Sequence, residues 1–317
     1  MSQTSTNQAA IKEIHLAHTQ GFCAGVSSAI ETVERALAKF GSPIYVRHEI
    51  VHNTAVISDF EKRGVVFIDD LTEIPEEATV IFSAHGVAPS VYQEAKERNL
   101  RYIDATCPLV TKVHREAIGF SKKDIQTILI GHKGHQELIG TSGYVNPELL
   151  YVIEDEADID ALNLDESKPI GYLTQTTLSV SETSKLIEKL RAKYPDIVAP
   201  PKEDICYATQ NRQDSVLNLA EDCDVIIICG SPNSSNSNRL RETAAAKGIA
   251  SYIIDTVEQF DPAVLIGKER VGVSSGASVP SYIVDEVVQK IYSLYPDAEI
   301  KRKDSIEKKF TFPIPKF

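Results

Sequence analysis

Residues 101–117 read RYIDATCPLVTKVHREA. Tyr102–Ile103 has the residue types of a short strand, Asp104-Ala105-Thr106-Cys107-Pro108 breaks it, and Leu109, Val110, Val113 and Ala117 then recur at helical spacing. Pro108 suits a first helical turn, where its missing N–H costs nothing. Cys107 therefore falls between a strand and a helix. The free N–H groups and partial positive charge at a helix start favour a thiolate, the form of cysteine that binds metal or attacks an electrophile. A buried, inert thiol fits this stretch equally well.

The same strand–loop–helix pattern recurs on both sides. Strands are expected at Ile14–Ala17, Pro43–Val46, Val65–Ile68, Thr79–Phe82, Thr127–Ile130, Leu149–Ile153, Ile170–Leu173, Asp224–Ile228, Ser251–Ile254 and Val271–Val273. Between them lie helical patterns, such as Val26, Ile30, Val33, Leu37 and Phe40, capped by Ser27 or Ser28 and ended by Gly41. Others cover about Ser90–Arg98, Ser181–Tyr194 and Pro280–Leu294. This alternation predicts an α/β protein with parallel sheets, and nearly every polar loop of interest follows a strand's carboxyl end, where such sheets bind ligands. Cys23 and Cys206 also precede helices, and Cys23, Cys107 and Cys206 are spaced about one small α/β domain apart. The expected organisation is a disordered leader (1–13), three similar α/β domains (25–107; 108–205; 206–295 plus 14–24) and a tail (296–317), each domain giving one cysteine to a shared centre.

With 317 residues and a formal net charge of −12, the chain is ordinary in composition and too acidic for a general nucleic-acid binder. No apolar run is long enough to span a membrane, and the opening MSQTSTNQAAIKE lacks the basic-then-apolar order of a signal peptide. A cytoplasmic location is expected, in which the five cysteines would not form structural disulfides. Cys223 and Cys229 flank an Ile/Val strand and read as core residues.

Three histidines, His52, His85 and His135, sit in strand-end loops and can donate to an anion without adding permanent charge. His132, His135 and Glu137 could instead form part of a zinc site. Ser234-Ser235-Asn236 and Ser274-Ser275-Gly276-Ala277-Ser278 each precede a helix and place more hydroxyl and N–H groups there than capping requires, as a phosphate or diphosphate cradle would. Neither loop is a Walker A or a GxGxxG motif, so no nucleotide is indicated.

Taken together, GFCAGV (21–26), YVRHEIVHN (45–53), FSAHGV (82–87), DATCPLVTKVH (104–114), IGHKGHQE (130–137), TQTTLS (174–179), DICYATQNRQ (204–213), SPNSSNSNRL (231–240) and GASVP (276–280) resemble the 4-hydroxy-3-methylbut-2-enyl diphosphate reductase family, in family order over about residues 14–290. The resemblance implies a pseudo-threefold trefoil of α/β domains around a [4Fe-4S] cluster held by Cys23, Cys107 and Cys206, with one iron open to the substrate's hydroxyl. It implies a diphosphate pocket from His52, His85, His135, Ser234, Ser235, Asn236 and Ser278, with Glu137 as the proton-delivering acid and Thr176 as its polar partner beside the substrate. The implied reaction is reductive dehydroxylation of the allylic diphosphate to isopentenyl and dimethylallyl diphosphate, the last step of the methylerythritol phosphate route. Flavodoxin or ferredoxin, with its NADPH reductase, is the implied electron donor. The chain departs from the family pattern at His18-Thr19-Gln20, Ser27-Ser28 and Gln136, none of which removes a ligand or the acid. Two other readings remain for the residues alone: a zinc phosphohydrolase built on His132, His135, Glu137 and a cysteine, and a non-catalytic phospholigand-binding module with its cysteines in the core.

Overall fold

The computed structural model describes residues 10–302 and 311–316. Residues 1–9 of the expected leader, and 303–310 and Phe317 of the expected tail, lie outside the described residues. In chain order the first elements are β1 (Glu13–Leu16), α1 (Ala24–Phe40), β2 (Ile44–Arg47), α2 (Thr54–Lys62), β3 (Val65–Ile68), β4 (Thr79–Phe82), α3 (Pro89–Glu97) and β5 (Arg101–Asp104). There follow α4 (Pro108–Ser121), β6 (Gln126–Ile130), α5 (Gln136–Ser142), β7 (Leu150–Ile153), α6 (Glu156–Ala161), β8 (Ile170–Thr174) and α7 (Val180–Lys193). The last are α8 (Tyr207–Asp222), β9 (Val225–Cys229), α9 (Ser235–Ala246), β10 (Ala250–Ile254), β11 (Arg270–Ser275), α10 (Ser281–Leu294) and β12 (Glu299–Arg302).

The described residues fall into two compact units. The first comprises 10–22, His52–Ala55 and 208–302. It is built on a five-stranded sheet of order β10-β9-β11-β1-β12, parallel throughout. Strand β9 reads VIIIC with every residue buried, as a strand covered on both faces must. One face packs Val225, Ile227, Val271 and Val273 against Ile283, Val284 and Val287 of α10. The other packs Ile226 and Ile228 against Val216 and Leu219 of α8 and Leu240 of α9. Each such side chain contributes ~1.5–3 kcal/mol by leaving water. Next to the edge of this sheet, Glu13 of β1 stands opposite Arg270 of β11 on one side and Glu299 of β12 on the other. The 296–317 span, expected as a tail, thus supplies a strand: Glu299–Arg302 is mostly exposed and charged, so it carries no hydrophobic signal and is ordered by backbone pairing with β1.

The second unit comprises 23–51, 56–207 and 311–316 and holds two parallel sheets, β3-β2-β4-β5 and β7-β6-β8. Each of the three sheets draws its strands from one of the three spans read as domains, apart from β12. The helix that follows β5 links the two sheets of this unit. Val113, Ala117 and Phe120 of α4 pack against Leu129 of β6, Leu173 of β8 and Leu138 of α5. Residue 107 therefore lies where one sheet ends and the helix covering the other begins. Because the strands are parallel, the loops after β4, β5, β6 and β8 all leave carboxyl ends of sheets in this unit, which is how residues far apart in sequence become neighbours.

Candidate active site

The cysteines come first. Helix α1 begins at Ala24, with Cys23 in the N-cap position, so Ser27 and Ser28 lie inside the helix rather than capping it. The Cys23 carbonyl accepts the Ser27 N–H at 2.9 Å. Cys107 occupies the same position on α4, with Pro108 following it in the first turn. Its N–H donates to the Ala84 carbonyl at 3.0 Å, and its carbonyl accepts the Thr111 N–H at 2.9 Å. Cys206 directly precedes α8, and its N–H donates to the Thr176 carbonyl at 3.0 Å.

Gly25 marks how closely the cysteines approach one another. A Cβ at this position would lie 2.6 Å from the Cys107 Sγ and 3.9 Å from the Cys23 Sγ, so a side chain there would collide with the Cys107 sulfur. Burial foremost, with the neighbouring Cys23 and Cys206 adding to it, pushes the Cys107 thiol up to about 12. The N–H groups of Leu109 and Val110 pull the other way, as a helix start should, but they are outweighed. The thiolate expected from the helix start alone is thus not the favoured state of the bare site. Three converging thiolates need positive charge among them, and metal ions supply it while displacing the thiol protons. Among the described residues no three His, Cys, Asp or Glu side chains close around a single ion. In a four-iron cluster each cysteine binds a different iron, so its ligands need not surround one point. The donor set of three half-buried cysteines fits that group.

Glu137 stands in the first turn of α5 and is 2% exposed. Its Oε1 accepts the Thr176 N–H at 2.6 Å, and its Oε2 accepts the Thr176 hydroxyl at 2.9 Å. Burial raises the Glu137 carboxyl to about 7, the two Thr176 bonds oppose the rise, and the charge of Asp204 adds to it. The result is a carboxyl that holds its proton near neutrality and is aimed by a threonine. Cys206 and Glu137 are both bonded to Thr176, one through its carbonyl and the other through its N–H and hydroxyl.

His135 caps α5, its Nδ1 accepting the Glu137 N–H at 3.1 Å. Its ring meets that of His85 edge to face, with centroids 5.8 Å apart. The Ser83 hydroxyl lies 3.3 Å from the His85 Nδ1. His132 does not join them: its Nδ1 lies 3.1 Å from Glu154 Oε1 at the surface. The expected alternative of a zinc site from His132, His135 and Glu137 is thus not formed, because the turn at 132–135 sends the two imidazoles to different partners.

In the first unit, Ser234 caps α9 through the Ser237 N–H, and Ser235 is that helix's first residue. Asn236 accepts the Ala277 N–H at 2.9 Å and donates to the Thr209 hydroxyl at 3.4 Å, which ties the 231–237 loop to the 276–278 loop. The Ser278 hydroxyl donates to the His52 carbonyl at 2.8 Å, bringing His52 to the same loops. A Cβ on Gly276 would stand 2.3 Å from the Ser237 Oγ, so only glycine allows this approach. The buried hydroxyls of Ser237 and Ser274 have no hydrogen-bond partner among the described residues. Such a surplus of donors beside a helix start suits an anion.

Several residues of these sites escaped the sequence reading. Arg212 is fully buried and donates to the Gly21 carbonyl at 2.8 Å, bracing the segment ahead of Cys23. Ser231 accepts the Thr54 N–H at 3.1 Å and donates to Asp255 at 2.5 Å. Asp204, with its side chain 0% exposed, accepts the Thr174 N–H at 2.9 Å. Arg212, Ser231 and Asp204 lie inside the quoted motifs, but nothing in a sequence separates a charge folded inward from one facing water.

The family profile of the LytB protein matches residues 14–292. The chain is 50% identical over 310 residues to the 4-hydroxy-3-methylbut-2-enyl diphosphate reductase of Marinobacter nauticus, covering 96% of this chain and 97% of that one. It is 48% identical over 307 residues to the enzyme of the same name from Acinetobacter baylyi, again covering 96% and 97%. The solved structure of the E-1-hydroxy-2-methyl-but-2-enyl-4-diphosphate reductase from Plasmodium falciparum matches with a TM-score of 0.93 at 37% identity, over 96% of each chain.

Proposed function

The chain belongs to the LytB protein family, and from that premise we propose that it is an iron–sulfur oxidoreductase that reduces 4-hydroxy-3-methylbut-2-enyl diphosphate to isopentenyl and dimethylallyl diphosphate. The observation that carries this reading is the pairing of two features around Thr176: a cysteine of the converging trio on its carbonyl, and a buried, protonated-range Glu137 on its N–H and hydroxyl.

Cys23, Cys107 and Cys206 would hold a [4Fe-4S] cluster, leaving one iron without a protein ligand. Such a group supplies single electrons and a Lewis-acidic iron, which side chains cannot. The protein's own part is proton and anion handling. Glu137 keeps a proton on its carboxyl up to about pH 7 and gives it to the departing hydroxyl. Thr176 donates to both carboxyl oxygens, which fixes the orientation of the Glu137 carboxyl. His52, His85, His135, Ser234, Ser235, Asn236 and Ser278 are the anion donors that the family resemblance assigns to the diphosphate. Binding energy from that end, which does not react, orients the end that does.

The electron donor is a flavodoxin or ferredoxin served by an NADPH reductase, and the enzyme works in the cytoplasm. No helix among the described residues is long and apolar enough to cross a membrane. The test is purification without oxygen followed by iron, sulfide, zinc and visible-absorption measurements. A brown protein with about four irons and four sulfides, turning over the allylic diphosphate, is the expected result. A colourless protein that stays so after reconstitution with iron and sulfide overturns the reading.

A further inference from the structure

We propose that Lys112 is the positioning residue for Cys206, clamping the 202–206 loop to the helix that begins at Cys107. The inference rests on the reading of the three cysteines as ligands of one centre. Lys112 lies on α4, and its ammonium donates to the Lys202 carbonyl at 2.8 Å, the Glu203 carbonyl at 3.1 Å and Asp204 Oδ1 at 2.7 Å. Three acceptors on consecutive residues use all three protons of an ammonium. Glu116, one turn further along α4, approaches the same ammonium at 3.3 Å.

The loop is fastened on its other side as well. Asp204 Oδ2 accepts the Thr174 N–H at 2.9 Å, and the Cys206 N–H reaches the Thr176 carbonyl at 3.0 Å. The two residues before Cys206 are therefore stretched between α4 and the end of β8. The Asp204 side chain is 0% exposed, and a buried carboxylate that loses its cation is strongly disfavoured. With Lys112 removed, the Lys202 and Glu203 carbonyls lose their tie to α4 and Asp204 is left facing the Glu116 carboxyl without a cation, so Cys206 is held less firmly at its distance from Cys107. Glu116 of α4 also hydrogen-bonds the Asp204 side chain, so Lys112 is the cation of a small α4–loop cluster and the one α4 side chain in it that carries positive charge.

The test uses the full-length protein purified without oxygen, as wild type, Lys112→Met and Lys112→Arg. Each is challenged with an iron chelator in the presence of iodoacetamide. Iron release is followed by absorbance, and labelling of each cysteine by peptide mass spectrometry. Lys112→Met is expected to release iron about tenfold faster, the scale on which residues behind metal ligands act, with Cys206 labelled ahead of Cys23 and Cys107. Lys112→Arg keeps the charge, but its planar fork does not fit three converging acceptors, so it falls between the two and shows the same order of labelling. Equal acceleration at all three cysteines, the mark of general loosening, overturns the proposal, and so do wild-type rates. If Lys112→Met does not accumulate as folded protein, Lys112→Arg carries the comparison. A wild-type protein that holds no iron refutes the cluster reading separately, since the ratio of Cys206 to Cys107 labelling still decides the role of Lys112.

Discussion

Cys107 and Cys229 have much in common on paper and little in the fold. Each ends or follows a strand, and burial pushes both thiols up to about 12. For Cys229 burial is the whole cause: it closes β9 inside the first unit's core, 0% exposed. Cys107 has Cys23 and Cys206 acting on it, and a helix start beneath it. Acidity in the bare protein therefore does not separate a ligand from a core thiol. What separates them is company: a second and third sulfur, backbone N–H groups directed at the site, and a glycine that leaves room for nothing else between them.

The sharpest break in that comparison comes from exchanging sulfur for oxygen at each position. Cys107→Ser is expected to lose the cluster and with it essentially all turnover, while Cys229→Ser keeps its iron; iron analysis of both variants, purified without oxygen, decides. Glu137→Gln comes next. It leaves the cysteines untouched, so iron content stays at the wild-type level, while kcat falls by about 10²–10⁴-fold as general-acid catalysis is lost. In the wild type, kcat falls as pH rises through about 7, where Glu137 gives up its proton, and the variant's profile lacks that limb. The sign for stability follows from the same shift. The folded carboxyl lies above its usual 4.5, so the unfolded chain releases the proton first and stability declines as pH rises from there through about 7. Denaturant titrations at several pH values should show a flatter decline for Glu137→Gln. Smaller still, Ser234→Ala removes a helix cap worth ~1 kcal/mol and raises the KM for the diphosphate by about tenfold, leaving the iron signal unchanged. The smallest effect belongs to the core thiol: Cys229→Ala costs ~1–2 kcal/mol through a small cavity, read as a lower melting temperature at constant iron content.

Much of this architecture is legible in the sequence because parallel strands buried on both faces are written as unbroken apolar runs. Thr79–Phe82, Gln126–Ile130 and Val225–Cys229 are each buried throughout, and the sequence places a strand at all three. The elements that go unread are short or polar. Helices α5 and α6 have 7 and 6 residues, less than the window a helical period needs, and β12 is almost all charge. At the site, the three cysteines stand out by their strand-to-helix context. The pairing of Glu137 with Thr176 spans 39 residues and no local pattern reports it; only the family resemblance put those two together. Lys112, Asp204 and Arg212 remain invisible for a related reason. Their charges are folded inward against carbonyls and one another, and composition alone reads such residues as solvent-facing.

Strand β1 sits between β11 and β12, so residues 13–16 are paired on both sides by residues from the far end of the chain. During synthesis the two sheets of the second unit can close from neighbouring segments as they emerge, β2 with β3 and β6 with β7. The first unit's sheet has no such option. Its second strand in space, β9, is made more than two-thirds of the way along, and β1 must wait with one edge open until β11 (270–275) is made and with the other open until residue 302 is made. Long-range pairing of this kind is slow, and an unpaired apolar strand is a target for stray association in the interval. The pairing that completes this sheet therefore joins its first strand in the chain to its last.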